Sequence, residues 1–202
     1  MECIQEITKR NEKLEIITDE SCESPREWDN LTVIATLEQN RSTIGDYQFN
    51  SPDELNEYVK DQEAIYAMPL YIYDHSGTSL YCGNGTIPYP FNDQWDSACI
   101  GIVFTTKKRL EEAGLSKTPR SKIIDQMKTE IETYSKWCNG DCYGFRLVEL
   151  SKCDKCDQVE DKEIDSCYGF YGYDFEKNGL YDAILENSKV FKSYEDIEEL
   201  AT

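Results

Sequence analysis

Short runs rich in apolar and β-branched residues, KLEIITDE (13–20) and LTVIATLE (31–38), read as two strands. The turn-rich ESPREWDN (23–30) separates them, so the two strands are expected to open the fold as a hairpin or meander. RSTIGDYQFN (41–50) reads as a loop with a glycine hinge. In SPDELNEYVKDQ (51–62) the pattern turns helical, with Ser51 as cap, Pro52 at the first helical position and Glu54 completing a capping box. AIYAMPLYIYD (64–74) is a long apolar strand, and Pro69 inside it implies an edge or a bulge because proline lacks the ladder amide. GNGTIPYPFND (83–93) is a loop, and ACIGIVFTT (98–106), apolar on both faces, reads as a buried central strand.

After Thr106 a short helix runs to a stop at Gly114. The longest helix lies in KTPRSKIIDQMKTEIETYSKWCNG (117–140). Thr118 is its expected cap, Pro119 its opening and Gly140 its end, and Ile124, Met127, Ile131, Tyr134 and Cys138 recur at helical spacing. DCYGFRLVEL (141–150) and EIDSCYGFYG (163–172) form an expected hairpin around the polar tip SKCDKCDQVEDK (151–162). The echo of DCYGF in SCYGF suits two neighbouring strands in which Gly144 and Gly169 let aromatic rings cover the opposite strand. These elements predict an α+β fold, an antiparallel sheet of about five to seven strands with helices packed on one face. Residues 1–173 are expected to form one domain, and 174–202 an acidic, weakly helical tail that is partly ordered and removable with modest loss.

Charge sharpens the picture. Among 202 residues, 40 acidic and 21 basic side chains leave a net charge of −19, which repels nucleic acid and anionic membranes and favours a partner with a basic surface. No window of about 18 apolar residues is present, so no membrane span is expected. The N-terminal MECIQEITKRNEK lacks the apolar stretch of a secretion signal. Nine cysteines without such a signal point to a reducing cytoplasm rather than a disulfide framework.

The one histidine, His75, stands in YIYDHSG beside Asp74 at the end of a strand, and is expected near Asp96. An imidazole oriented by a carboxylate is a general base, and Cys167 is the thiol it would activate. Ser76 is a poor nucleophile candidate because adjacent strand side chains point apart. DHSG also makes a turn without any chemistry. Trp28–Asp29 and Trp95–Asp96 repeat a tryptophan–aspartate pair, which suits a ligand wall with carboxylates beside it. Asp74, Asp96, Asp141 and Asp165 lie at expected strand ends and would supply oxygen ligands if they converged. CDKC (Cys153, Cys156) and the upstream Cys138 and Cys142 sit at opposite ends of the expected hairpin. At about 3.3 Å per strand residue they are roughly 26 Å apart, so no metal and no cofactor is expected.

In combination, ESPREWDN, MPLYIYDHSG with QWDSACIGIVF, and GDCYGF with EIDSCYGFYG resemble a family of hypothetical proteins of bacteriophages and integrated mobile elements. The resemblance runs from about Leu14 to Gly172 and carries no known activity. The chain departs from that pattern in a longer YCGNGTIPYPFND loop, in Ala98 and Cys99, and in the CDKC tip. The resemblance implies an accessory protein of the bacterial host cytoplasm. The charge then suggests that it binds and inhibits a host protein, a defence or DNA-binding factor, by mimicking DNA. The long helix, through Asp125, Glu130 and Glu132, is the expected contact face. The alternative is a small enzyme or ligand-binding protein with a pocket at Asp74, His75, Asp96, Asp165 and Cys167, the tryptophans Trp28 and Trp95 lining it together with Asp29.

Overall fold

The structure is a computed structural model that describes residues 1–38, 44–75, 77–83, 95–152 and 159–198. The expected α+β class holds, and the strands divide between two sheets, one in each of two compact units. The first unit is Met1–Glu23 with Gly140–Thr202, and the second is Ser24–Asn139.

In the first unit, β1 (Cys3–Lys9), β2 (Glu12–Thr18), β8 (Cys142–Lys152) and β9 (Val159–Tyr171) form an antiparallel sheet in the order β1-β2-β8-β9. Alternation sends Ile7, Leu14, Ile16, Tyr143, Phe145 and Leu147 to one face. There they meet Leu180, Tyr181 and Ile184 of α4 (Leu180–Asn187), Phe191, and Ile197 of α5 (Glu195–Glu198). The segment expected as a separable tail therefore supplies half of this core. Its buried residues recur every three or four positions in α4, and its charges lie on the outside. Glu12, buried at the end of β2, accepts hydrogen bonds from Ser188 Oγ (2.5 Å) and Lys189 N (3.1 Å), which fixes the turn after α4.

The DCYGF echo is explained by pairing. Gly144 lies opposite Tyr168, and a Cβ there would fall 2.4 Å from the Tyr168 ring, so the ring covers the glycine as expected. Gly169 serves differently: its φ of +87° places the extra residue of a bulge where the register shifts. The CDKC tip lies outside the described residues.

In the second unit the sheet order is β4-β3-β7-β5-β6, from β3 (Val33–Leu37), β4 (Tyr47–Phe49), β5 (Ala64–Asp74), β6 (Thr78–Cys82) and β7 (Ser97–Thr106). Only β3 and β4 run parallel. The central position of β7 matches its doubly apolar sequence. Pro69 falls where the β5–β6 pairing ends, beside a register shift against β7 between Leu70 and Tyr71. One face packs on α3 (Arg120–Cys138) through Ile123, Met127, Ile131 and Tyr134. The other carries α1 (Pro52–Asp61), whose Leu55 sits among Val33, Ala35 and Phe104. Helices thus occupy both faces of this sheet, not one. Ser51 Oγ accepts from Glu54 N at 3.3 Å, and Thr106 Oγ1 caps α2 (Lys107–Glu112) through Arg109 N at 3.3 Å. Thr118 does not cap α3: Pro119 holds that position and offers no side-chain acceptor.

The expected opening hairpin does not form. β2 pairs with β1 and β8, and β3 with β4 and β7, in different units.

Candidate functional site

The segment 24–32 of the second unit is built to be rigid. Ser24 Oγ accepts from Arg26 N (3.3 Å) and starts a single 3₁₀ turn at Pro25–Glu27. Arg26 then reaches Asp46 with Nε (3.1 Å) and Nη2 (2.6 Å), a bidentate grip, and donates to Thr32 Oγ1 (3.0 Å) and Thr32 O (2.9 Å). Its guanidinium lies 6.0 Å from the centre of the Tyr134 ring. The Asn30 side chain donates to Pro25 O and Trp28 O, folding the loop on itself. From α3, Glu130 accepts from Leu31 N (3.0 Å), Thr32 N (2.9 Å) and Thr32 Oγ1 (2.7 Å). Two donors of an irregular segment thus find a charged acceptor, the satisfaction that buried backbone requires.

This frame holds Trp28 at 46% exposure over a cleft of 660 Å³. The cleft is lined by Trp28, Asp29, Asn30 and Leu31 of the loop, by Arg109 and Glu112 of α2, by Ala113, and by Gln126 of α3. Arg109 Nη1 donates to Asn30 O at 2.7 Å, which ties α2 to the loop. A second hollow of 210 Å³ shares Trp28, Asn30 and Gln126 and is lined besides by Pro25, Thr129, Glu130 and Thr133. Binding residues are disproportionately carried on loops held by a rigid scaffold, and Trp28 offers exposed aromatic surface on such a loop beside a cleft.

The remaining expected residues divide between the two units. Asp74 closes β5, and its backbone N–H donates to Asp96 O at 2.8 Å. His75 Nδ1 lies 2.7 Å from Asp96 Oδ2, so the expected neighbourhood is real, and the ring stacks on Tyr73 at 6.3 Å. The His75 side chain is 65% exposed, which leaves the pair well screened by water. Trp95 is 94% exposed. Ser76 and most of the 83–93 loop lie outside the described residues.

Asp165 and Cys167 belong to the first unit, on β9. Asp165 accepts from Asn187 Nδ2 at 2.7 Å, and Cys167 is exposed on the strand. Of the five residues of the expected pocket, Asp74, His75 and Asp96 thus belong to the second unit, and Asp165 and Cys167 to the first. Among the described residues no group of three His, Cys, Asp or Glu side chains is placed to hold a metal ion. Burial pushes the thiols of Cys82 and Cys138 up to about 12 and about 11, so both stay protonated at neutral pH.

Charge is distributed unevenly. The first unit holds 23 acidic and 10 basic residues and the second 17 and 11, so −13 of the net −19 belongs to the first. Glu160, Asp161 and Glu163 are exposed along the edge strand β9, and Glu176, Asp182, Glu186, Glu195 and Glu198 are exposed in the C-terminal segment. Some of this charge is internally matched: Arg146 bonds Glu15 (3.1 Å), Glu163 (3.2 Å) and Asp161 (3.3 Å). The α3 helix, the expected acidic face, carries Arg120, Lys122, Lys128 and Lys136 against Asp125, Glu130 and Glu132. Asp125 and Glu132 are exposed, whereas Glu130 is spent on the 24–32 loop, so this helix presents mixed charge.

No family model, no curated protein and no solved structure matches the chain. No helix among the described residues is long and apolar enough to cross a membrane.

Proposed function

We propose that the chain is an acidic accessory protein, of the bacteriophage or mobile-element type, that binds and inhibits a basic host protein through its first unit. The observation that supports this is the concentration of net charge, −13 on one unit, with exposed carboxylates along β9 and the C-terminal helices. Alternate residues on a strand stand roughly 6.6 Å apart. Asp161 and Glu163 are such a pair, tied to Arg146, and with Glu160 they sit on a folded edge strand without the entropy loss a floppy tail would suffer. A basic groove shaped for DNA is the natural complement, and the encounter would be steered by long-range attraction. This moves the contact surface from α3 to the first unit and makes the C-terminal segment part of it.

The test is capture of bacterial cytosolic proteins on the immobilised chain at about 50 mM and about 500 mM salt, with duplex DNA as competitor. The expected result is a basic DNA-binding protein, retained at low salt, released at high salt and displaced by DNA. A partner held equally at both salts, or one that binds DNA and this chain together, would defeat the proposal.

A second reading rests on a separate observation, the cleft under Trp28. It makes the second unit a ligand-binding module whatever the first unit does.

A further inference from the structure

We infer that the cleft walled by Trp28 is a binding site for a short neutral carbohydrate chain. The groups that line it bear on the class of ligand. Asp29 and Glu112 present carboxylates to the same space, which disfavours phosphate and carboxylate ligands. Arg109 presents a guanidinium, which disfavours a simple cation. The apolar contribution is confined to Trp28, Leu31 and Ala113, too little to desolvate a long hydrocarbon. This mixed lining suits a neutral ligand with one flat apolar face and a rim of hydroxyl groups. A sugar ring has both. Its C–H face stacks on an indole, and its adjacent hydroxyls are gripped in pairs by planar side chains that offer two polar atoms each. Asp29, Glu112, Gln126 and Arg109 are of that kind, and together they supply both donors and acceptors.

Length separates a glycan from a nucleoside, the other neutral ligand that stacks on tryptophan. A second hollow adjoins the cleft at Trp28, Asn30 and Gln126 and is lined along α3 by Thr129, Glu130 and Thr133, two of them hydroxyl-bearing. Seven residues of helix advance about 10 Å, enough for two sugar rings and more than one base requires. Preorganisation favours the site as well. The loop bearing Trp28 is fixed by Arg26, Asn30 and Glu130 before any ligand arrives, so little further ordering is needed on binding.

The inference is independent of the acidic-partner proposal. Its test is isothermal titration of the full chain with maltotriose, cellotriose, chitotriose and, as the competing class, adenosine. At least one trisaccharide should bind saturably with a dissociation constant of about 0.1–1 mM. That affinity should weaken at least tenfold in Trp28→Ala and in Gln126→Ala, and hold in Asn56→Ala on α1. Gln126 is exposed on α3, so its truncation keeps the fold even where Trp28→Ala does not. No heat from any trisaccharide at about 10 mM, binding of adenosine alone, or trisaccharide binding untouched by Gln126→Ala would overturn the inference.

Discussion

Replacing Glu130 with alanine should loosen the second unit far more than its place on a half-exposed helix suggests. The carboxylate accepts from two backbone amides and one hydroxyl at 3.0, 2.9 and 2.7 Å. The residues that own those donors are 3% and 0% exposed at Leu31 and Thr32. A hydrogen bond to a charged group contributes about 1.5–3 kcal/mol, and a buried donor left without an acceptor costs about 1–3 kcal/mol. Two amides and the Thr32 hydroxyl lose their acceptor, and the bond that Thr32 Oγ1 accepts from Arg26 Nη1 at 3.0 Å does not replace it. Water reaching the vacated space offsets part of the loss, which brings the expected destabilisation to about 3 kcal/mol. With a urea slope of about 1.5 kcal/mol/M, the unfolding midpoint should fall by roughly 2 M. Glu130→Gln should fall less, because the amide keeps one acceptor but turns an NH₂ towards a backbone N–H. Equilibrium urea unfolding followed by tryptophan emission reads both variants. A midpoint within about 0.5 M of the parent for Glu130→Ala would refute the bracing role.

Removing residues 174–202 should unfold the first unit, because burial of Leu180, Ile184, Phe191 and Ile197 alone contributes roughly 6–12 kcal/mol. A truncated chain with native circular dichroism and an unchanged melting midpoint would refute this. Thiol labelling under native conditions should modify Cys3, Cys99 and Cys167 before Cys82 and Cys142, which are buried, and equal labelling rates would contradict the assigned burial. Glu15 is held below its ordinary 4.5, first by the hydrogen bond from Lys13 and then by Arg146. Its contribution to stability is thus complete above pH 4.5 and fades as pH falls through the lower folded value. The stability gap between the parent and Glu15→Gln should therefore shrink below pH 4.5, and a gap constant from about pH 7 to about pH 3 would contradict the pairing.

Elements with strong local signals were legible in the sequence. The strand Ala64–Asp74, the capped helix from Pro52 and the central strand around Ile100–Phe104 stand where their patterns place them. Pairing was not legible, because β2 finds β8 after more than a hundred intervening residues and no local pattern encodes that partner. β1 escaped notice since only Ile7 of its seven residues is buried, and β4 is three residues long. The C-terminal stripe was written in Leu180, Tyr181 and Ile184, but the surrounding acids made it read as a tail.

The site shows the same division. ESPREWDN singled out Trp28 and Asp29, and the proximity of His75 to Asp96 was anticipated from strand ends. Arg109, Glu112 and Gln126 had no signal, because which helix positions face a cleft depends on how α2 and α3 lie on the sheet. The role of Glu130 was misread for the same reason: its charge suggested a solvent-facing contact, and only the tertiary fold brings the amides of Leu31 and Thr32 to it.

The acidic first unit as the partner-binding surface is tested most directly by two variants with equal changes of charge. One carries Glu160→Gln, Glu176→Gln, Glu186→Gln and Glu198→Gln, all exposed in the first unit. The other carries Glu57→Gln, Asp61→Asn, Asp125→Asn and Glu132→Gln, all exposed in the second. Each is immobilised at equal density, and the association rate of the captured host partner is measured at low salt. The expected result is an association rate at least tenfold slower for the first variant and close to the parent for the second. Equal slowing of both, or loss confined to the second, would contradict the assignment.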